Sequence, residues 1–155
     1  MRFFFYGTLL DADLRRALCG PVADAWSIAP ATLADHRRGR SPGRTYPILV
    51  PAPGETVGGV VAGGLDAVAA AILTLYEGSG YRVAGLRPAT AEGPVAAWAY
   101  LPCRAAMANL PWTLSGWQRE HKPRALRRVA AWVPTIPADA LATASKAWAA
   151  RSADA

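Results

Sequence analysis

"DAVAAAILTLYEGSGYRV", residues 66–83, carries the reading of this chain, because it passes from a helix into a strand through an acid in an unusual place. Residues 66–76 are apolar and alanine-rich, the composition of a short buried helix. Gly78 and Gly80 follow where such a helix should stop, since glycine takes the left-handed cap conformation at little cost. Glu77 therefore falls in the last turn, where the helix dipole is negative and cations are normally favoured. Burial beside Leu73, Leu75 and Tyr76 acts with the dipole against the ionised form and raises the carboxyl's pKa. Pairing with Arg82 would act the other way. If burial and dipole win, Glu77 is a general base poised near neutrality; the bland alternative is a solvated residue in a frayed last turn.

Upstream, "RFFFYGTL" (2–9) is an apolar run of strand length, and "DADLRRALCG" (11–20) reads as a helix capped by Asp11 and stopped by Gly20. Between them, "FYGTLL" (5–10) places Gly7 and Thr8 at a strand-to-helix turn. Successive N–H groups there can bind an anion or a carbonyl oxygen, or the stretch is simply a tight turn. A strand is expected around "AWSIAPATL" within 22–34, then a polar loop "DHRRGRSPGRT" (35–45). Two short strands, "YPILVP" (46–51) and "TVGGVVAGGL" (56–65), come next. The glycines of the second imply close backbone approach or a bulge.

Downstream, "YRVAGLRPATA" (81–91) and "VAAWAYLP" (95–102) read as a hairpin turning at Gly93-Pro94. From Pro111 the texture becomes helical, with Pro123 breaking the pattern and the tail fraying at its end. Strands up to about residue 102 and helices after it give an α+β fold with a largely antiparallel or mixed sheet, in one domain over 1–155 with a helical C-terminal part from about 111.

Bulk properties narrow the function. A hydrophobic content of 52% excludes a mostly disordered chain. No run of about 18 apolar residues occurs, so no membrane span is expected. The N-terminal apolar run is too short for a signal peptide's core, which points to a cytoplasmic protein. The net charge of +6 raises nucleic acid as a partner. The arginines are scattered, however, and no interleaved aromatics form a stacking platform, so a specific nucleic-acid role is not expected. Cys19 and Cys103 lie far apart, without CxxC or clustered histidines, and read as two buried or half-buried thiols rather than metal ligands. His36 and His121 are single histidines in polar surroundings, read as solvated side chains. No P-loop, GxGxxG, GxSxG or HExxH motif occurs.

Taken together, "FFFYGTLL", "YPILVPAPGETVGGVV" and "LYEGSGYRV" resemble the γ-glutamylcyclotransferase-like superfamily, which includes the γ-glutamylamine cyclotransferases and AIG2-like proteins. "AAWAYL" (96–101) and "WTLSGWQREH" (112–121) extend the resemblance, which covers roughly residues 2–121 in the family's order. It implies a compact, barrel-like β core with a few short helices. It implies a cofactor-free enzyme in which a γ-glutamyl group's own amine attacks its γ-carbonyl, releasing 5-oxoproline and an amine or amino acid. Glu77 would be the general acid/base. Tyr6, Gly7, Thr8, Leu9 and Tyr81 would bind the small-molecule substrate, the turn holding either its α-carboxylate or the oxyanion. Two positions depart from the family pattern: Thr74 stands where an aspartate is common and Val83 where many members carry arginine, a role Arg82 could take. These departures keep open a non-catalytic binding or regulatory domain on the same scaffold. The expected oligomeric state is a monomer or a homodimer.

Overall fold

The structure, a computed structural model, describes residues 1–104 and 108–153. Its strands are β1 (Arg2–Phe5), β2 (Ser27–Gly39), β3 (Ile48–Gly63), β4 (Tyr81–Leu86), β5 (Ala89–Thr90), β6 (Gly93–Pro94) and β7 (Ala97–Pro102). Its helices are α1 (Ala12–Cys19), α2 (Ala67–Glu77), α3 (Leu114–Glu120), α4 (Lys122–Trp132) and α5 (Ala138–Ala153). All seven strands form one sheet in the order β4-β7-β1-β3-β2-β5-β6, antiparallel except where β1 runs parallel to β7 at Phe3 and Trp98. This is the expected mixed α+β fold, a largely antiparallel sheet with its helices concentrated after residue 111.

The sequence of β1 explains its place at the centre. Alternate side chains leave opposite faces of a strand. Phe3 and Phe5 enter the core under the helices, with Leu14, Leu73, Trp117 and Trp148. Phe4 and Tyr6 enter a second core on the other face, with Leu33, Leu49, Val57 and Val61. A strand buried on both faces reads as a continuous apolar run, which is what residues 3–6 are.

The region 27–63 departs from expectation. The first five residues of the stretch read as a polar loop at 35–45 are strand, since β2 continues to Gly39. The two short strands read at 46–51 and 56–65 are one long strand, β3. The gap between them survives as a register shift: Ala34 pairs with Thr56 but His36 pairs with Pro51. Asp35 sits at that shift with φ of 57° and accepts a hydrogen bond from Gly54 N–H (2.8 Å). Polar, glycine-rich residues fold as strand here because both strands of the ribbon supply the ladder that the sequence does not advertise. Close backbone approach, expected in the 56–65 glycines, is found at Gly59, where a Cβ would collide with the Phe5 carbonyl and come within 2.8 Å of the Phe4 ring.

β4 and β7 do pair antiparallel, from Tyr81↔Pro102 to Leu86↔Ala97. Gly93-Pro94 is not their turn, however; it forms β6, paired with β5 in a small hairpin between them. Pro123 marks a break as expected: α3 ends at Glu120 and Pro123 lies in the first turn of α4, where its missing N–H is tolerated. The fraying expected at the chain's end falls on residues 154–155, outside the described residues. Cys19 is half-buried at the end of α1, and burial pushes its thiol up to about 12. Cys103 is exposed, contrary to the expectation for both thiols, where the chain leaves the end of β7. Among the described residues no helix is long and apolar enough to cross a membrane.

Candidate active site

A cavity of about 670 Å³ opens where β1, α2, β4 and the C-terminal helices meet. Tyr6, Gly7, Thr8, Leu9, Glu77 and Tyr81 all line it, although some seventy residues separate the turn from the acid.

Glu77 is the last residue of α2. The helix starts on Asp66, whose Oδ1 accepts from Ala69 N–H at 2.8 Å. It stops at Gly78, which adopts a φ of 72° and donates its N–H to the Thr74 carbonyl (3.1 Å). Buried Ala69, Ala70, Ala71 and Leu73 seat the helix on the core and carry its end to the cavity wall. Glu77 keeps part of its surface accessible, but that surface faces the cavity rather than open solvent. Among the described residues its carboxylate has no hydrogen bond or ion pair. Burial pushes its pKa up to about 7. The pairing with Arg82 does not occur: Arg82 is exposed, whereas Tyr81 and Val83 on the other face of β4 are half-buried. It does not line the cavity, so it does not take the place of an arginine at position 83 either.

Four tyrosines surround the acid. For Tyr6, Tyr76 and Tyr81, burial and then the Glu77 charge push the phenol well up. Tyr100 is raised as well, first by burial, against its hydrogen bond with Thr74 and with a further push from Glu77. All four therefore stay protonated near neutral pH.

The turn after β1 is held from behind. Arg38 Nη1 donates to the Tyr6 carbonyl (2.9 Å), and Arg15 Nη1 donates to the carbonyls of Leu9 (2.7 Å) and Leu10 (3.0 Å). The Tyr6 hydroxyl donates to the Tyr100 carbonyl at 2.5 Å, so its phenol is spent on structure. Residues 8–10 form a short 3-10 turn that runs into Asp11, the N-cap of α1. Gly7 has an ordinary negative φ; what selects glycine is space, since a Cβ there would stand 3.0 Å from Pro47 Cγ. Asp11 also binds Gln118 (2.7 Å) and Lys122 (2.8 Å), tying the turn to α3 and α4. Burial raises the Asp11 carboxyl, but these partners and the Leu14 N–H outweigh it and leave the pKa lowered.

Thr74, one turn before Glu77, is a junction. Its hydroxyl donates to the Ala70 carbonyl (2.8 Å), lies 3.0 Å from the Tyr100 hydroxyl and accepts from Trp148 Nε1 (2.9 Å). The position that departs from the family pattern is thus fastened to β7 and to α5.

Sequence reading missed the far wall. Trp117 of α3 and Ala125, Arg128, Val129 and Trp132 of α4 line the cavity, and the Trp132 ring lies 5.9 Å from that of Tyr76. Residues 125, 128, 129 and 132 follow the i, i+3, i+4, i+7 spacing of one helix face, the signal that could have found them. Arg15 and Arg38 were also missed, because burial of an arginine is not visible in its sequence neighbours. Neither His36 nor His121 lines the cavity. Among the described residues no group of three or more histidine, cysteine or acidic side chains is arranged to hold a metal ion.

Comparison with known proteins adds an independent finding. The family model described as "Gamma-glutamyl cyclotransferase, AIG2-like" matches residues 3–119. A solution structure of an Arabidopsis thaliana protein is 26% identical, covering 82% of this chain and 86% of its own, with a TM-score of 0.62. An uncharacterized Homo sapiens protein is 21% identical over 83% of this chain and 85% of its own, with a TM-score of 0.58. A structure named gamma-glutamyl cyclotransferase has the same fold at 17% identity, with the same coverages and a TM-score of 0.57. No curated protein sequence matches significantly.

Proposed function

The chain belongs to the gamma-glutamyl cyclotransferase, AIG2-like family, and on that premise we propose that it cyclises a γ-glutamyl compound, releasing 5-oxoproline and an amine or amino acid. One observation carries the reading: a carboxylate without a polar partner among the described residues faces the same cavity as the Tyr6–Leu9 turn. The substrate's α-amine is protonated in water near pH 7 and cannot attack in that form. Ionised Glu77 takes one proton from it, and the freed nitrogen attacks the γ-carbonyl carbon of the same molecule. The attacking nitrogen gives up its second proton as the C–N bond to the leaving group breaks. The leaving nitrogen takes up both this proton and the one on Glu77, so that the products are 5-oxoproline with its lactam N–H, a protonated amine and ionised Glu77. A carboxyl with a pKa of about 7 suits both directions of this transfer. Because nucleophile and electrophile belong to one molecule, the entropic task is to hold the folded conformer.

The turn supplies that hold in this reading. Arginines occupy the carbonyls of Tyr6, Leu9 and Leu10. The first N–H groups of a 3-10 turn have no partner within it, so those of Thr8 and Leu9 remain for the glutamyl part, as α-carboxylate or developing oxyanion. Tyr81 adds a protonated hydroxyl. Both the family-matched residues and α4 wall the cavity, which supports reading the chain as one functional unit. The test is a panel of γ-glutamyl amino acids and γ-glutamylamines assayed for 5-oxoproline. Release from at least one compound is expected; binding without release from any would favour a binding domain on this scaffold.

A further inference from the structure

We propose that Arg128 is a specificity residue that binds an anionic group on the leaving half of the substrate, so that this chain favours γ-glutamyl compounds whose released amine carries a carboxylate. The proposal rests on the cyclotransferase reading. Among the described residues lining the cavity, only Glu77 and Arg128 carry a formal charge. They form no ion pair with each other, and Arg128 has no hydrogen bond or ion pair elsewhere among the described residues. Its position on α4 is unusual: Ala125, Val129 and Trp132 make an apolar face toward the cavity, and Arg128 interrupts it. An apolar residue at that position would extend the stripe, and a purely solvated arginine would sit on the opposite face, as Arg127 does. The Arg128 charge reaches the site, since it acts on the Tyr76 phenol next to Glu77.

Position assigns the half of the substrate. Arg128 is exposed, at the cavity's mouth, while Glu77 lies in desolvated surroundings. A substrate whose amine meets Glu77 and whose glutamyl part meets the Tyr6–Leu9 turn directs its leaving group outward, past Arg128. A guanidinium recognises a carboxylate there by paired N–H···O bonds. α4 lies beyond the family-matched residues 3–119, so this contact belongs to the part of the chain outside the shared pattern.

The alternative, an arginine lying over Trp132 and Val129 with its head in water, makes a different prediction. The test compares γ-glutamylglycine with γ-glutamylglycinamide, which differ at one group, by kcat/KM for 5-oxoproline release. Wild type should prefer the carboxylate by about tenfold to a hundredfold. Arg128→Gln should lose roughly that factor more on γ-glutamylglycine than on the amide, and Arg128→Lys should recover part of it. Equal losses on both substrates would overturn the proposal in favour of a contact to the glutamyl half, and no loss would show a solvated side chain. If wild type releases no 5-oxoproline, the cyclotransferase reading fails by itself. Calorimetric binding of the same two compounds to Glu77→Gln and to Glu77→Gln/Arg128→Gln then judges Arg128. A carboxylate preference present in the first and absent in the second supports it; no preference in either overturns it.

Discussion

The two walls of the cavity are built on opposite plans. On the turn after β1, the carbonyls of Tyr6, Leu9 and Leu10 are held by arginines, the Tyr6 hydroxyl is tied to β7, and Gly7 is pressed against Pro47. Glu77, across the cavity, has no polar partner among the described residues and is perturbed by burial alone. The contrast separates two tasks. Holding a substrate calls for groups fixed before it arrives, whereas moving a proton calls for a group whose charge is only weakly stabilised.

The comparison breaks most readily at the acid. Glu77→Gln keeps shape but cannot take the amine's proton, so 5-oxoproline formation should fall about 10²–10⁴-fold while substrate affinity changes little. Unchanged turnover would remove Glu77 from the mechanism. The pH profile sharpens the same point: with a carboxyl at about 7, kcat/KM should rise with pH through that value and fall about tenfold for each unit below it. A limb near the ordinary glutamate value would mean that burial does not govern the group in solution.

At the fixed wall the effects should be smaller and fall on binding and stability. Arg15→Met leaves two carbonyls without their donor, which should cost roughly 1–3 kcal/mol in denaturant unfolding and raise KM by roughly tenfold with a lesser change in kcat. Equal loss in kcat and none in KM would show that the turn acts on the chemistry instead. Smallest is Asp11→Asn. Asn keeps the cap, so what the variant removes is the charge paired with Lys122. The folded-state pKa of Asp11 is lowered, and that contribution is present above the unfolded-state pKa and lost as pH falls through the folded one. The stability difference between wild type and variant should therefore shrink in acid. Glu77 has the opposite sign: its raised pKa makes the fold less stable as pH rises from the ordinary glutamate value through about 7.

What could be read in the sequence follows from how local each signal is. The caps of α1 and α2, the doubly buried β1 and the glycine after Glu77 are written within a few residues of one another. The pairing of the turn with Glu77 is not local, since some seventy residues separate them, and only the family resemblance joined them. The long β2–β3 ribbon was not legible, because "HRRG" carries no strand propensity and gains its ladder only from residues 48–51. The cavity's far wall was hidden for a related reason. The face made by residues 125, 128, 129 and 132 has a visible period, but nothing in it says which cavity it covers. Arg15 gives no local sign that it is buried behind the turn.

Trp148 has a practical consequence for anyone who cuts this chain. Its indole lies 5.2 Å from the Phe3 ring and 5.7 Å from that of Trp98, and it donates to Thr74. A protein truncated at residue 119, where the family match ends, would present those aromatic rings to solvent beside a hydroxyl stripped of its donor. Such a fragment should be sticky and prone to aggregation, and its failure in an assay would report the missing lid over Phe3 rather than the chemistry of Glu77.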